Sequence, residues 1–416
     1  MEKKLVWIVS HYGGAPSFSQ RLPEYLIAKS LQNEGYDVKL IVSSFVHNTD
    51  INFIKDNRKF IEKNIDGVDF IFIKTREYGS KINRVLNMLE FSRGLKKLHK
   101  KLNNKPDLII SQMPTPNQCY VSQRLAKKFN VPYITYIVDL WPLSIVEYAG
   151  ISNSNPIIQL LYKFEKWIYR KSDDLVFTWE GAYDYIIDKG WDNQVSREKF
   201  NYINIGVDLN QFNYNKDNFT VEDSDLEDDT FKVMYCGSVR QANDIGTVVE
   251  CAKKVNEKGY EDKIKFIIYG DGPDKAILEE KCKKENITNV LFKGSINKNY
   301  IPFVLTKSNL NILNLKKAAT QKYGNSSNKL FEYFAAGNPV LANIDEGNYP
   351  IISKYNAGKI VEAGNIDEYA EKVLYFYNLT EREKLQYSNN AIKAAKDFDT
   401  TELNKNWIKL VDKYLK

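Results

Sequence analysis

Two series of short apolar strands, each strand followed by a loop and then an amphipathic helix, restrict this 416-residue chain more than any other feature. Several of the loops carry glycine. Alternation of this kind closes into parallel α/β sheets, because parallel neighbours need a long crossover that is usually helical. In the first series, residues 5–10 read as a buried strand and His11-Tyr12-Gly13-Gly14-Ala15-Pro16 as its loop. Residues 21–33 follow as a helix with Leu22, Leu26, Ile27 and Leu31 inward, and 38–43 as the next strand, a βαβ unit of Rossmann type. Further strands read at 70–74, 106–111, 132–138 and 175–178, with helices at 82–102, 121–129, 160–169 and 183–189. An acidic stretch, 217–230, reads as a solvated linker or loop. The second series follows it, with strands at 231–235, 263–269, 290–292 and 310–315 and helices at 247–256 and 276–284. The length suits two domains, 1–204 and 205–396, before a last helix at 401–415 with Trp407, Leu410, Val411 and Tyr414 at helical spacing.

Charge and cysteine usage narrow the function classes. A net charge of +6 suits anionic ligands or an anionic membrane surface, and is far below the density of a dedicated nucleic-acid binder. The basic helix at 82–102 could supply such a membrane contact. It sets Ile82, Val85, Leu86, Leu89, Leu95, Leu98 and Leu102 against Arg84, Arg93, Lys96, Lys97, Lys100, Lys101 and Lys105. A core-facing helix with a solvated face explains the same pattern. Cys119, Cys236, Cys251 and Cys282 are scattered without a CxxC, and His11, His47 and His99 are the only histidines. No metal site is expected, and a reducing compartment fits. No apolar run approaches the roughly 18 residues of a membrane span, and the N-terminus reads as a strand rather than a signal.

Residues 324–340 point to chemistry. A Ser/Asn-rich loop leads into Lys329-Leu330-Phe331-Glu332-Tyr333-Phe334-Ala335-Ala336, stopped by Gly337 and Pro339. A helix N-terminus offers unpaired N–H groups and partial positive charge, so a lysine there is misplaced unless a phosphate lies beside it. Glu332, one turn in, is placed to accept from a ribose diol. Other loops at strand ends are Gly237-Ser238-Val239-Arg240, Gly270-Asp271-Gly272-Pro273, Lys293-Gly294-Ser295-Ile296 and Asp139-Leu140-Trp141-Pro142. In parallel α/β sheets ligands sit at these carboxyl ends. A Gly-Gly pair also serves a tight turn, and Trp141-Pro142 also serves a packed corner.

Taken in order, these motifs resemble the retaining, nucleotide-sugar-dependent glycosyltransferases of the GT-B fold, family 4. They look closest to the branch that builds bacterial capsule, O-antigen and exopolysaccharide. The resemblance implies two Rossmann-like domains facing across a cleft, with 397–416 returning to the N-terminal, acceptor-binding domain. It implies transfer of a hexosyl or N-acetylhexosaminyl group from a UDP-sugar to a lipid-linked oligosaccharide. Neither metal nor cofactor is implied, and the setting is cytoplasmic, on the inner face of the plasma membrane. By resemblance Gly13 and Gly14 approach the donor diphosphate, and Gly237 and Gly270 line its loops. Arg240 and Lys329 neutralise it beside the amides of Asn328 and Leu330. Glu332 holds the ribose, and Ser295 and Ile296 hold the base. Asp139 sits at the reacting sugar, and His11 and Trp141 contact the acceptor. The chain departs from the family pattern in three places. Gly324 stands where an earlier glutamate is usual, Asn243-Asp244 where a second basic residue is usual, and Val138 where a histidine is usual. A sugar-nucleotide epimerase and a non-catalytic sugar-nucleotide-binding subunit are the competing readings.

Overall fold

Runs such as Leu5-Val6-Trp7-Ile8-Val9 and Phe266-Ile267-Ile268 are apolar on both faces, which marks strands covered by helices on either side. The computed structural model describes residues 3–19, 22–102, 104–324, 326–344 and 347–416. Arg21, expected to open the first helix, and Asn325, in the loop before Lys329, lie outside the described residues. The chain divides into two units, residues 1–204 with 403–416, and residues 205–402.

The first unit runs β1 (Leu5–Val9), α1 (Pro23–Asn33), β2 (Asp37–Ser43), β3 (Phe60–Ile65), β4 (Val68–Ile73), α2 (Lys81–Leu98) and β5 (Leu108–Met113). It continues with α3 (Pro116–Phe129), β6 (Tyr133–Ile137), α4 (Leu143–Ala149), α5 (Pro156–Lys171), β7 (Asp174–Phe177), α6 (Ala182–Asp188) and β8 (Phe200–Tyr202). The strands order as β3-β4-β2-β1-β5-β6-β7-β8. Among the described residues only β3 is antiparallel, and it pairs with β4 through an Asp66-Gly67 turn with both φ positive, at 51° and 78°. That is the geometry Asp-Gly favours in a two-residue hairpin. One face of the sheet packs under α2 and α3 through Phe91, Leu95, Leu98 and Leu125, and α3 lies beside both α2 and α5. The other face is covered by α1 and by the last helix.

The second unit holds α7 (Leu209–Asn218), α8 (Ser224–Glu227), β9 (Phe231–Cys236), α9 (Ile245–Glu257), β10 (Ile264–Tyr269), α10 (Lys275–Lys284), β11 (Val290–Gly294) and α11 (Ile301–Thr306). It continues with β12 (Leu310–Asn314), α12 (Asn328–Ala335), β13 (Val340–Asn343), α13 (Ile351–Tyr355), β14 (Gly358–Val361), α14 (Ile366–Tyr377) and α15 (Glu381–Asp397). Its six strands are all parallel, ordered β11-β10-β9-β12-β13-β14. The last helix, α16 (Thr400–Leu415), lies mostly in the first unit. There Trp407 meets Tyr136 edge-on at 5.1 Å, and Leu410 and Val411 are buried beside it.

Two expectations need correction. The acidic stretch is not a solvated linker. Asp223 and Asp225 bind Lys293 Nζ at 2.8 and 2.6 Å, Asp225 binds Lys265 Nζ at 2.7 Å, and Asp228 also pairs with Lys265. Lysines on β10 and β11 therefore fold the segment down onto the sheet edge. The basic helix α2 also buries only the C-terminal part of the face read from its leucines. Asn87, Phe91, Ser92, Leu95 and Leu98 turn inward, while Ile82 and Val85 are 75% and 54% exposed.

Candidate functional site

The loops that leave β9, β10 and β11 are laddered to one another beyond the strands. Gly237 N donates to Tyr269 O at 2.9 Å, Val239 N to Asp271 O at 2.8 Å and Gly270 N to Gly294 O at 2.7 Å. Side chains would prevent this. A Cβ on Gly270 would lie 1.8 Å from Gly237 O, and one on Gly237 would lie 2.4 Å from Lys329 Cε. The glycines thus bring backbone against backbone and open a channel for the arm of Lys329.

Lys329, in the first turn of α12, lies along that channel. Its Nζ donates to Tyr235 Oη at 3.0 Å and to Asn243 Oδ1 at 3.1 Å, 4.9 Å from the centre of the Tyr235 ring. Both acceptors are neutral. Burial, with the charge of Arg240 adding to it, pushes the ammonium down to about 8. Asn243 is fixed in turn. Its Nδ2 donates to Ser238 O at 2.7 Å and Ser238 Oγ at 2.9 Å, and Asn314 Nδ2 donates to the carbonyl of Asn243 at 3.1 Å. Asn243, itself held in place, therefore holds the lysine on α12. Arg240 is exposed, and no ion pair engages it among the described residues. The second unit thus presents two cations beside the start of α12, one clamped and one at the surface.

Glu332 lies half-buried one turn along, with Lys298 Nζ at 3.8 Å. Burial raises its carboxyl, opposed by the charges of Lys298 and Lys329. Asn328 is exposed at the helix start, and the amide of Leu330 already donates to Ser327 O at 3.0 Å. Ser295 and Ile296 line a depression of about 420 Å³ together with Tyr269, Lys293 and the docked acidic segment at Asp223.

In the first unit Asp139 follows β6. Burial pushes its carboxyl up to about 6, while hydrogen bonds from the Ser144 side chain and the Leu140 backbone pull the other way. Trp141 is half-buried, and the Trp141–Pro142 peptide is cis. His11 is 3% exposed beneath Tyr12 and Phe91. Its Nε2 lies 2.5 Å from Asn87 Oδ1, and Gln118 Oε1 accepts from its amide at 3.0 Å. Burial pushes the imidazole down to about 4, so the ring is neutral near pH 7; an amide oxygen opposite Nε2 calls for the proton there, and the buried Nδ1 has no partner among the described residues. Gly13 and Gly14 are buried, and a Cβ on Gly13 would lie 3.0 Å from Val42 Cγ1. Among the described residues no three His, Cys, Asp or Glu side chains gather to hold a metal ion.

Asn243 stood out in the sequence only as a departure from the family pattern, and the roles of Tyr235, Asn87 and Gln118 were not legible there, because all four act through contacts distant in the chain.

The glycosyl transferases group 1 family matches residues 217–397, and Glycosyltransferase Family 4 matches residues 25–211. No curated protein matched the sequence. Among solved structures, the sucrose-phosphate synthase of Thermosynechococcus elongatus is similar over 99% of both chains, at 15% identity and a TM-score of 0.74. The E. coli trehalose-6-phosphate structure bound with UDP-2-fluoro glucose is similar over 98% of both chains, at 10% identity and 0.74. Anabaena HepE in complex with UDP and glucose is similar over 99% of this chain and 100% of its own, at 13% identity and 0.65. With one glycosyltransferase family on each half of the sequence and the fold shared end to end, this chain belongs to the glycosyltransferases of the GT-B fold.

Proposed function

We propose that the protein is a retaining glycosyltransferase that uses a UDP-sugar. It would pass a hexosyl or N-acetylhexosaminyl group to a hydroxyl of a lipid-linked glycan in bacterial surface polysaccharide synthesis, at the cytoplasmic membrane surface. The observation that carries the reading is the clamped Lys329, set against Gly237 with Arg240 close by. A nucleoside diphosphate leaving group develops negative charge, and preorganised cations and helix N–H groups stabilise that charge without reorganising. In this reading Lys329 and Arg240 do that work, and no metal is needed. Glu332 reads the ribose, and the loop at Ser295 and Ile296 takes the base. The leaving phosphate accepts the proton of the attacking hydroxyl, with retention at the sugar carbon. Asp139 acts at the transferred sugar. UDP-bound neighbours of the same fold support the choice of nucleotide.

The test is calorimetry of the full chain against UDP, GDP, ADP and their sugars, followed by turnover in the presence of chelator. UDP should bind more tightly than the other nucleotides and than 2′-deoxy-UDP. UDP release should require an acceptor lipid extract and persist in chelator. Acceptor-independent isomerisation of the sugar would convert the reading to an epimerase, and absence of nucleotide binding would remove it.

A further inference from the structure

Helix α5 has two apolar faces. Ile158, Tyr162, Ile168 and Tyr169 are buried in the first unit. On the opposite side Ile157 and Leu160 are 67% and 65% exposed, and Phe164 and Trp167 continue the stripe, half-buried, at spacings of three and four. Tyr120 of α3 extends it sideways, 42% exposed, with its ring 5.2 Å from Trp167 and 6.1 Å from Phe164. The core does not require this stripe, since the helix is already anchored by its other side. The flanks are cationic. Lys163, Arg170 and Lys171 on α5 and Arg124, Lys127 and Lys128 on α3 are all exposed. The one carboxylate on either helix, Glu165, is fully buried and hydrogen-bonded by Tyr169 and Tyr185.

We propose that the outer faces of α5 and α3 form a docking surface for an anionic lipid bilayer, with α5 lying in the plane of the interface. The pattern is that of an interfacial helix, with apolar and aromatic side chains between lysines and arginines and no exposed acid. A second copy fits poorly, because two-fold pairing of this face would set one cationic rim against another. No described helix is long and apolar enough to cross a membrane, so the contact is peripheral. The surface lies on α5 and α3 rather than on α2, whose Leu95 and Leu98 are buried. Such a contact would hold the protein beside a lipid-linked acceptor, and to that extent it rests on the proposed function.

The experiment is co-sedimentation of the full chain with phosphatidylglycerol–phosphatidylcholine vesicles, compared with phosphatidylcholine alone, at low and high salt. Binding should require the anionic lipid and weaken with salt. It should fall at least tenfold in the Ile157→Ser, Leu160→Ser pair, and several-fold when Lys163, Arg170 and Lys171 become Gln, with the melting temperature unchanged. Brominated lipid should quench part of the tryptophan emission, and Trp167→Phe should remove that part. UDP calorimetry on the same samples reports separately on the proposed reaction. The docking surface is overturned if anionic vesicles fail to retain the protein, or if the Ile157 and Leu160 pair leaves retention intact. It is equally overturned if self-association in lipid-free buffer shields Trp167.

Discussion

Lys329 carries its charge between two neutral acceptors, and that choice of partners has a measurable consequence. An ammonium held near 8 is mostly protonated at pH 7 and mostly neutral at pH 9. A bound diphosphate interacts with the protonated form, so affinity is full below the free-state value and declines as pH rises through it. UDP affinity should therefore fall about tenfold between pH 7 and pH 9, a range over which the phosphates stay ionised. Lys329→Arg should flatten that dependence, because a guanidinium does not titrate there. Calorimetry at half-unit intervals checks both, and a flat wild-type curve would remove Lys329 from the phosphate site. Asn243→Ala takes away one acceptor of the ammonium. It should weaken UDP binding roughly five- to tenfold, from about 1 kcal/mol for the lost bond, and move the midpoint of the pH curve downward. Asn243→Asp should move it upward. A purely structural asparagine would shift the melting temperature and leave the midpoint where it was. Lys329 could be singled out from sequence because a lysine is anomalous in the first turn of a helix. The part Asn243 plays could not be read there, because it depends on a side chain 86 positions away.

Among the elements, those with a strong period were legible and those held by charge were not. The strands and helices of both sheets announced themselves through apolar runs. The segment before β9 is rich in acids, and composition alone says that such a stretch is solvated. It is docked because Lys265 and Lys293 stand on adjacent strands, which only the strand order reveals. The ion pairs hold Asp223 and Asp225 below the usual carboxylate range. The unfolded value then lies above the folded one, so the stabilisation is complete above about pH 4 and is lost as pH falls through the folded values. Asp225→Asn at pH 7 should cost about 1–2 kcal/mol and lower the melting temperature by roughly 3 °C, with a smaller loss at pH 3. Scanning calorimetry at the two pH values decides it, and equal losses would mean that the pairs contribute nothing. The same reasoning applies to α5, whose outer stripe is invisible until the inner one is known. Helix α16 contributes through its core. Trp407→Ala should remove about 3–5 kcal/mol of stability, read from urea unfolding.

At the scale of the whole molecule, the two parallel sheets and their order along the chain could be anticipated from the alternation of strands and helices. The antiparallel edge strand β3 could not, since its sequence, Phe-Ile-Glu-Lys-Asn-Ile, carries only weak apolar alternation. The return of α16 has a consequence for how the protein is made. The chain leaves the first unit at residue 204 and comes back to it at residue 403, so the second unit is an insertion within the first. Every residue of that insertion is translated before residues 403–416 exist. The sheet face that Trp407, Leu410 and Val411 cover must therefore wait, bare around Tyr136, while the second unit completes itself. Nascent chains arrested after the second unit has emerged, but before α16 has, should already resist protease across 205–402. The first unit should stay open to cleavage and to chaperones until its final helix is released from the ribosome.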